Sequence, residues 1–424
     1  MGGIPDTGGQ VTEPTATYAV SLLRLRGVGR RTVVQLLTRY PSESDLLAAS
    51  ESELAAVAGP RVLAALVDGL AHGWAIACDL AAHDVELHER AGIGVIPFGA
   101  GTYPALLAAA PDPPAVLYVK GDASSMSARL TVAVVGTRQP TQRGWEIGKR
   151  VARRFAEQGA VIVSGLAKGI DTAGHEGALE VGRTVAVLGT AIDKIYPAEN
   201  AELSKRIELN GALVSEYPIG FVPRATAFVE RDRIQAGLSL AVIPVQTGID
   251  GGTQHTIKYA IAAGRRVLCP RPSEAELGAP ENEGILALIR EGRGTAFERD
   301  DIDKITGELA ELGAQLVRGD TGDAPRARGA AESRAGRKSK LVEAGAQGQL
   351  DWLVPQVASS AHSIPLTCPD ESKRAPVATH RLLTSMDEVV GALDETLDRV
   401  GPDYDEEAFD AIVRAWRVRR YPDR

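Results

Sequence analysis

A chain of 424 residues with 44% apolar residues and only 4% aromatics can bury a sizeable core, built from Ala, Val, Leu and Ile, and its length favours two to three domains. Its net charge of −8 argues by itself against a nucleic-acid partner, but residues 131–245 carry 14 Lys and Arg against 12 Asp and Glu while residues 381–424 carry 7 against 11, which leaves room for a local basic surface. No apolar run approaches a membrane span, the stretch MGGIPDTGGQVTEPTA lacks the basic and apolar regions of a signal peptide, and Cys78, Cys269 and Cys368 fit neither a disulfide framework nor metal spacing. A cytoplasmic protein with no membrane partner, no metal and no cofactor is expected.

Residues 1–17, rich in Gly, Pro and Thr, are expected to be disordered. From Tyr18 to residue 91 the apolar spacing is helical, with Trp74 and Ile76 as expected core and His72, His83 and His88 as surface or capping residues. Within this helical domain the run Leu25-Arg26-Gly27-Val28-Gly29-Arg30-Arg31-Thr32 is similar to the hairpin of a helix-hairpin-helix, whose glycine turn aims backbone N–H groups at a phosphate. A glycine turn between two packed helices accounts for it equally well.

Residues 92–122 predict two strands joined by a short helical turn and the rigid segment Pro111 to Pro114. Strands follow at Thr131–Val135, Val161–Val163, Thr184–Leu188, Leu213–Glu216, Leu240–Val245 and Arg266–Cys269, alternating with helices near 143–158, 171–181, 199–209, 226–236 and 252–263. This alternation predicts βαβ units and a parallel sheet flanked by helices, closed by a helix and short strand in 281–305. Residues 318–350 read as a linker whose arginines and lysines, from Arg326 to Lys340, can add nonspecific affinity for nucleic acid, and 351–424 as a small helical region.

The chemistry concentrates in TVAVVGTRQPTQRGWEIGKRVARRFAEQGAVIVSGLAKGID, residues 131–171. Two short β-branched strands each end in a glycine turn, Gly136-Thr137-Arg138 and Ser164-Gly165-Leu166-Ala167-Lys168-Gly169. In a parallel sheet these turns lie side by side at the carboxyl edge, where open α/β sheets bind ligands. Glycines there let N–H groups approach an anion, and Arg138 and Lys168 add positive charge. A phosphate-bearing ligand follows.

Taken together, VAVVGTRQPTQRG, IVSGLAKGIDTAGHEGAL, TVAVLGTAIDKIYPAENAEL, GALVSEYPIG and FVERDRIQAGLS resemble, in order and spacing, the DprA (Smf) family of DNA-processing proteins. The resemblance runs from about Tyr18 to Ile305. It implies an extended Rossmann-like sheet in 92–317, a SAM-like or helix-hairpin-helix domain in 18–91, single-stranded DNA binding, a homodimer formed through the sheet domain, and loading of the RecA recombinase during natural transformation. Carried over by position, Gly136, Thr137 and Arg138 match the family's Gly-Ser-Arg phosphate turn, and Ser164, Gly165 and Lys168 its second turn. Phe228, Arg231 and Arg233 match its Phe-Pro-x-Arg-Asn-Arg segment, where arginines suit phosphates and an aromatic suits a base, although pairing of Arg231 with Glu230 or Asp232 on a surface, and Phe228 as core, account for them as well.

Two departures stand out. Val229 and Asp232 replace the family's Pro and Asn, which sets a negative charge beside the expected DNA contacts. Gly251-Gly252-Thr253 replaces a Ser-Gly-Ser turn and is similar to the phosphate turn of LOG proteins, which process or sense nucleotide derivatives. Those hydrolases need a glutamate after the turn, whereas here Gln254, His255 and Thr256 follow, so a non-enzymatic protein is expected and a LOG-like phosphoribohydrolase or sensor is the alternative. Asp171 and His175, four apart on one helix, can cap or act together.

Overall fold

The structure is a computed structural model that describes residues 12–318; the expected linker and C-terminal helices lie outside the described residues. Six helices come first: α1 Ala16–Arg24, α2 Arg30–Arg39, α3 Glu43–Leu47, α4 Glu51–Ala58, α5 Pro60–Asp68 and α6 Trp74–Arg90. Side-chain caps start several of them. The Thr15 hydroxyl accepts from the Tyr18 N–H at α1, and Ser50 with Glu53 forms a capping box at α4. Order therefore begins earlier than the composition of residues 1–17 suggests: Glu13 accepts from the Gly101 N–H at 2.9 Å, which anchors residues 12–17 that were expected to be disordered.

Next come β1 Ile93–Pro97, α7 Ala105–Ala108, β2 Val116–Gly121, β3 Thr131–Val135, α8 Gln142–Glu157, β4 Val161–Ser164, α9 Ile170–Leu179, β5 Thr184–Val187, α10 Ala201–Leu209 and β6 Gly211–Ser215. The chain closes with α11 Ala225–Glu230, α12 Asp232–Gly237, β7 Ala241–Pro244, α13 Thr253–Ala262, β8 Arg266–Pro270, α14 Glu283–Arg290, β9 Thr295–Phe297 and α15 Ile302–Arg318. One nine-stranded sheet runs β1-β2-β6-β5-β4-β3-β7-β8-β9. From β6 to β9 all neighbours are parallel, but β2 pairs antiparallel with both β1 and β6, so the sheet is mixed. The chain steps outward from β3 through β4, β5 and β6, then returns to place β7 on the other side of β3. That reversal makes the carboxyl ends of β3 and β7 the topological switch point, where a crevice opens between diverging connections.

Alternation along each strand divides the core. Val132 and Val134 pack with Val151, Phe155, Ile162 and Ile243 on one face, whereas Ala133 and Val135 pack with Val163, Val242, Ile257 and Ile285 on the other. A third apolar cluster joins α1–α6 to the sheet through Tyr18, Leu36, Leu66 and Trp74 against Tyr118, Ala186, Leu188 and Leu213.

Three expectations for the helical region need correction. His88 is fully buried instead of lying on the surface: its ring lies 4.6 Å from that of Tyr118, and its Nε2 accepts from the Ile219 N–H at 2.9 Å. Nδ1 therefore carries the proton and donates to the Asp84 carbonyl at 2.6 Å. Ile76 faces outward while Trp74 is core, because they sit two apart on a helix. Finally, α5, a short π-turn and α6 form one helix from Pro60 to Arg90, long and apolar enough to cross a membrane by length and composition, with mean hydropathy 1.3 over its best window. One face of the helix, with Leu66, Trp74, Ala77, Ala81 and Val85, belongs to the core.

Candidate functional site: the cleft at the switch point

The two glycine turns interlock before they offer anything to a ligand. Gly169 adopts φ +81°, and a Cβ there would meet the backbone of Thr137 and Arg138, while a Cβ on Gly136 would meet Ile170 at 2.6 Å. The Ile170 N–H donates to the Thr137 carbonyl at 3.1 Å, and the Thr137 N–H donates to the Gln246 carbonyl at 2.8 Å, so the ends of β3, β4 and β7 are locked together. The Gln246 side chain then accepts from the Thr141 N–H at 3.0 Å and fills the space that a side chain at Gly144 would need.

The second turn is held from inside. Asp171 is buried, and its Oδ2 accepts from the N–H groups of Gly165 at 3.1 Å and Ala167 at 3.4 Å. Those amides are thereby committed to a carboxylate of the chain itself. The Ser164 hydroxyl, fully buried, donates to the Val134 carbonyl at 2.7 Å. Lys168 is exposed and its Nζ pairs with Glu199 at 2.5 Å. Ser164, Gly165 and Lys168 thus shape or flank the site without lining the crevice.

The crevice itself has a volume of about 540 Å³. Gly136, Thr137 and Arg138 form one wall, and Gly251, Gly252 and Thr253 the other. Helix α13 starts at Thr253, so the positive end of its dipole lies at this wall, while the Gln254 and His255 N–H groups of its first turn already donate to the Gly251 and Gly252 carbonyls at 2.9 and 3.0 Å. Arg138 is exposed and makes no ion pair or side-chain hydrogen bond among the described residues. Phe228 is half-buried at the rim, its ring 5.3 Å from that of Tyr196, which is 58% exposed. Gly189 leaves room for it, since a Cβ there would meet Phe228 at 2.8 Å.

The arginine-rich segment folds inward. Arg231 lies on the crevice floor with 5% of its surface exposed, its Nη2 3.7 Å from Asp171 and its Nε 3.5 Å from Asp232, and its guanidinium occupies the space over Gly165. Arg233 leaves the crevice altogether: it pairs with Glu216 and, at 3.4 Å, with Asp112. Arg30 reaches the same Asp112 at 2.6 Å and Arg31 at 3.0 Å, so the basic end of the Gly27–Gly29 hairpin docks on the sheet domain. The expected phosphate contacts therefore divide. Gly136, Thr137, Arg138, Phe228, Arg231, Gly251, Gly252 and Thr253 line one crevice, whereas Arg233 braces the fold.

Two carboxylates line the floor: Asp232, whose charge the sequence placed beside the expected contacts, and Asp171, which the sequence offered only as a cap or a partner of His175. Burial raises the Asp171 carboxyl, against the opposing Arg231 and loop N–H groups. Burial likewise pushes Asp232 up to about 6, with Arg231 opposing and Asp171 adding to the rise. His175 does not join them as a proton carrier. Thr184 Oγ1 spends its proton on the Ile162 carbonyl at 2.6 Å and so accepts from His175 Nδ1 at 2.7 Å, and burial beside Arg231 pushes the imidazole down to about 3. Sequence reading missed Tyr196 and Gln246; an aromatic before Pro197 is the only local signal for the first, and there is none for the second.

A family model described as DNA recombination-mediator protein A matches residues 94–309, the stretch that holds the sheet and this crevice. Protein Smf of Synechocystis sp. is 39% identical over 217 residues, 50% of this chain and 52% of that protein, so the chain spans about half the length of that relative. The DNA processing protein DprA of Bacillus subtilis is 36% identical over 231 residues, covering 54% of this chain and 76% of that protein. Among solved structures, that of DNA processing protein A from Streptococcus pneumoniae is 27% identical with a TM-score of 0.55, over 67% of this chain and 95% of that one. With the family's sequence pattern across half the chain and its fold beneath it, this chain belongs to the DNA recombination-mediator protein A family.

Proposed function

We propose that the crevice binds the phosphate backbone of single-stranded DNA and that the protein acts without catalysis, as a cytoplasmic recombination mediator. The observation that carries this reading is the convergence of the uncommitted Arg138 guanidinium with the N-terminus of α13 across one cleft. A guanidinium gives a bidentate phosphate contact, and the helix end adds the positive end of its dipole. The Phe228–Tyr196 pair at the rim supplies faces on which bases stack without regard to sequence. Homodimerisation through the sheet domain and loading of RecA rest on family membership; they identify the partner class and not a surface.

Anisotropy of labelled oligothymidylates at two salt concentrations tests this. Affinity should rise with strand length, fall steeply with salt, and drop about tenfold in Arg138→Ala, with a salt slope shallower by about one. Salt-insensitive or undetectable binding by the wild type would sink the reading.

One observation keeps the nucleotide alternative in play: a cleft of this size also suits a single small ligand, and Asp232 sits in it. Both floor carboxylates are, however, engaged with Arg231, and Asp171 with the loop amides as well, which favours the DNA reading.

A further inference from the structure

A second cleft, of about 380 Å³, opens at the same carboxyl edge beyond Gln246, between α8 and the segments that follow β7, β8 and β9. Its charge comes from α8. Arg143, Ile147, Arg150 and Arg154 stand at positions i, i+4, i+7 and i+11, one stripe of the helix, and all four line the cleft. Arg271 and Arg299 approach from the opposite side.

The two glutamates in the lining are already used. Glu276 gives Oε1 to Arg143 at 2.9 Å and Oε2 to the Ser273 N–H and hydroxyl at 2.9 and 2.5 Å, and Glu298 pairs with Arg271 at 3.1 Å. Arg154 pairs with Glu157 at 2.8 Å. Arg150 and Arg299 carry no ion pair among the described residues, although both glutamates lie in the same cleft. The same cleft is lined by Val151, Val245, Pro270 and Ile302, most of them largely buried, and by the polar Gln246, Ser273 and Asn282. Positive charge beside apolar and amide-bearing walls is the complement of a nucleoside phosphate, whose ring system is desolvated cheaply while its phosphate needs donors.

We propose that this second cleft binds a nucleoside phosphate, held by Arg150 and Arg299, either as a free nucleotide or as a unit of the strand whose neighbouring phosphates lie on Arg138. The strand source rests on the DNA reading above; the free source does not. Arg143 and Arg150 lie roughly 10 Å apart along the helix axis, far enough to follow successive backbone positions.

The test uses the full chain, thymidine 5′-triphosphate followed by calorimetry, and oligothymidylates of about six and about twenty nucleotides followed by anisotropy. Arg150→Ala with Arg299→Ala removes two exposed side chains, and an unchanged melting temperature certifies its fold. Triphosphate binding that survives Arg138→Ala and falls about tenfold or more in the double variant assigns a free nucleotide to the second cleft. About tenfold weaker binding of the longer strand, with the shorter unchanged and the salt slope shallower by about two, assigns a unit of the strand. If the double variant binds both triphosphate and long strand as the wild type does, the proposal is overturned. Should the wild type bind no oligothymidylate at all, the DNA reading fails and the triphosphate titration alone decides on the second cleft.

Discussion

Asp232 shows how one side chain can be unfavourable to its surroundings and still persist. Burial and the neighbouring Asp171 raise its carboxyl to about 6, against the pull of Arg231. In the unfolded chain the group titrates near 4. A carboxyl raised on folding contributes stability that is complete below the unfolded value and lost as pH climbs through the folded one. Asp232→Asn should therefore stabilise the fold by on the order of 2 kcal/mol at pH 7–8 and by nothing near pH 4, as read from urea midpoints across that window. The same substitution removes a negative charge near Arg138, so wild-type DNA affinity should rise as pH falls from 7 to 5 while the variant stays flat. A second residue-scale outcome concerns Gly165, where the Arg231 guanidinium fills the position of a Cβ. Gly165→Ala should cost about 3 kcal/mol in denaturant unfolding, since neither the buried arginine nor the clasped turn can give way. An unchanged midpoint would show that Arg231 does not pack where it is placed. Gly165 was legible as a turn residue, but its reason was not: the sequence points to phosphate access, whereas the space is taken by an arginine 66 positions along the chain.

Elements were read more surely than contacts. The strands from Thr131 to Cys269 and their alternating helices match the observed β3–β8 and α8–α13 within a few residues, because β-branched runs and helical periodicity are local properties. The antiparallel seat of β2 against β6 was not visible, since pairing partners 91 to 97 residues apart leave no local trace. The same limit explains the Asp112 network. Burial would raise this carboxyl, but hydrogen bonds from Arg30 and Arg31, with Arg233 nearby, hold it at about 2. Three elements, α2, the segment after α7 and the start of α12, thus meet on one charge. Asp112→Ala leaves Arg30 and Arg233 largely buried without this partner, so unfolding free energy at neutral pH should fall by about 3 kcal/mol. A carboxyl lowered on folding contributes above its unfolded value and loses that contribution as pH falls through the folded one. The difference between wild type and variant should therefore close toward pH 2, and a gap that persists there would refute the ionic origin.

At the scale of the molecule, net charge and site charge pull in opposite directions. A chain of −8 repels a polyanion at long range, so binding must come from local fields at the carboxyl edge of the sheet. The sequence by itself determined the strands, the helices, the glycine turns after β3 and β4, and the family whose order of motifs they follow, because each is written in neighbouring residues. Tertiary structure alone decided which of the cations remain available. It turned Arg233 and Arg30 toward Asp112, laid Arg231 between Asp171 and Asp232, and left Arg138 exposed at the switch point. Two side chains of the same type, two positions apart, thus face different partners, and no local pattern distinguishes them. The physical reason is desolvation: a buried guanidinium must find a carboxylate, and where the carboxylates lie is fixed only when distant segments pack.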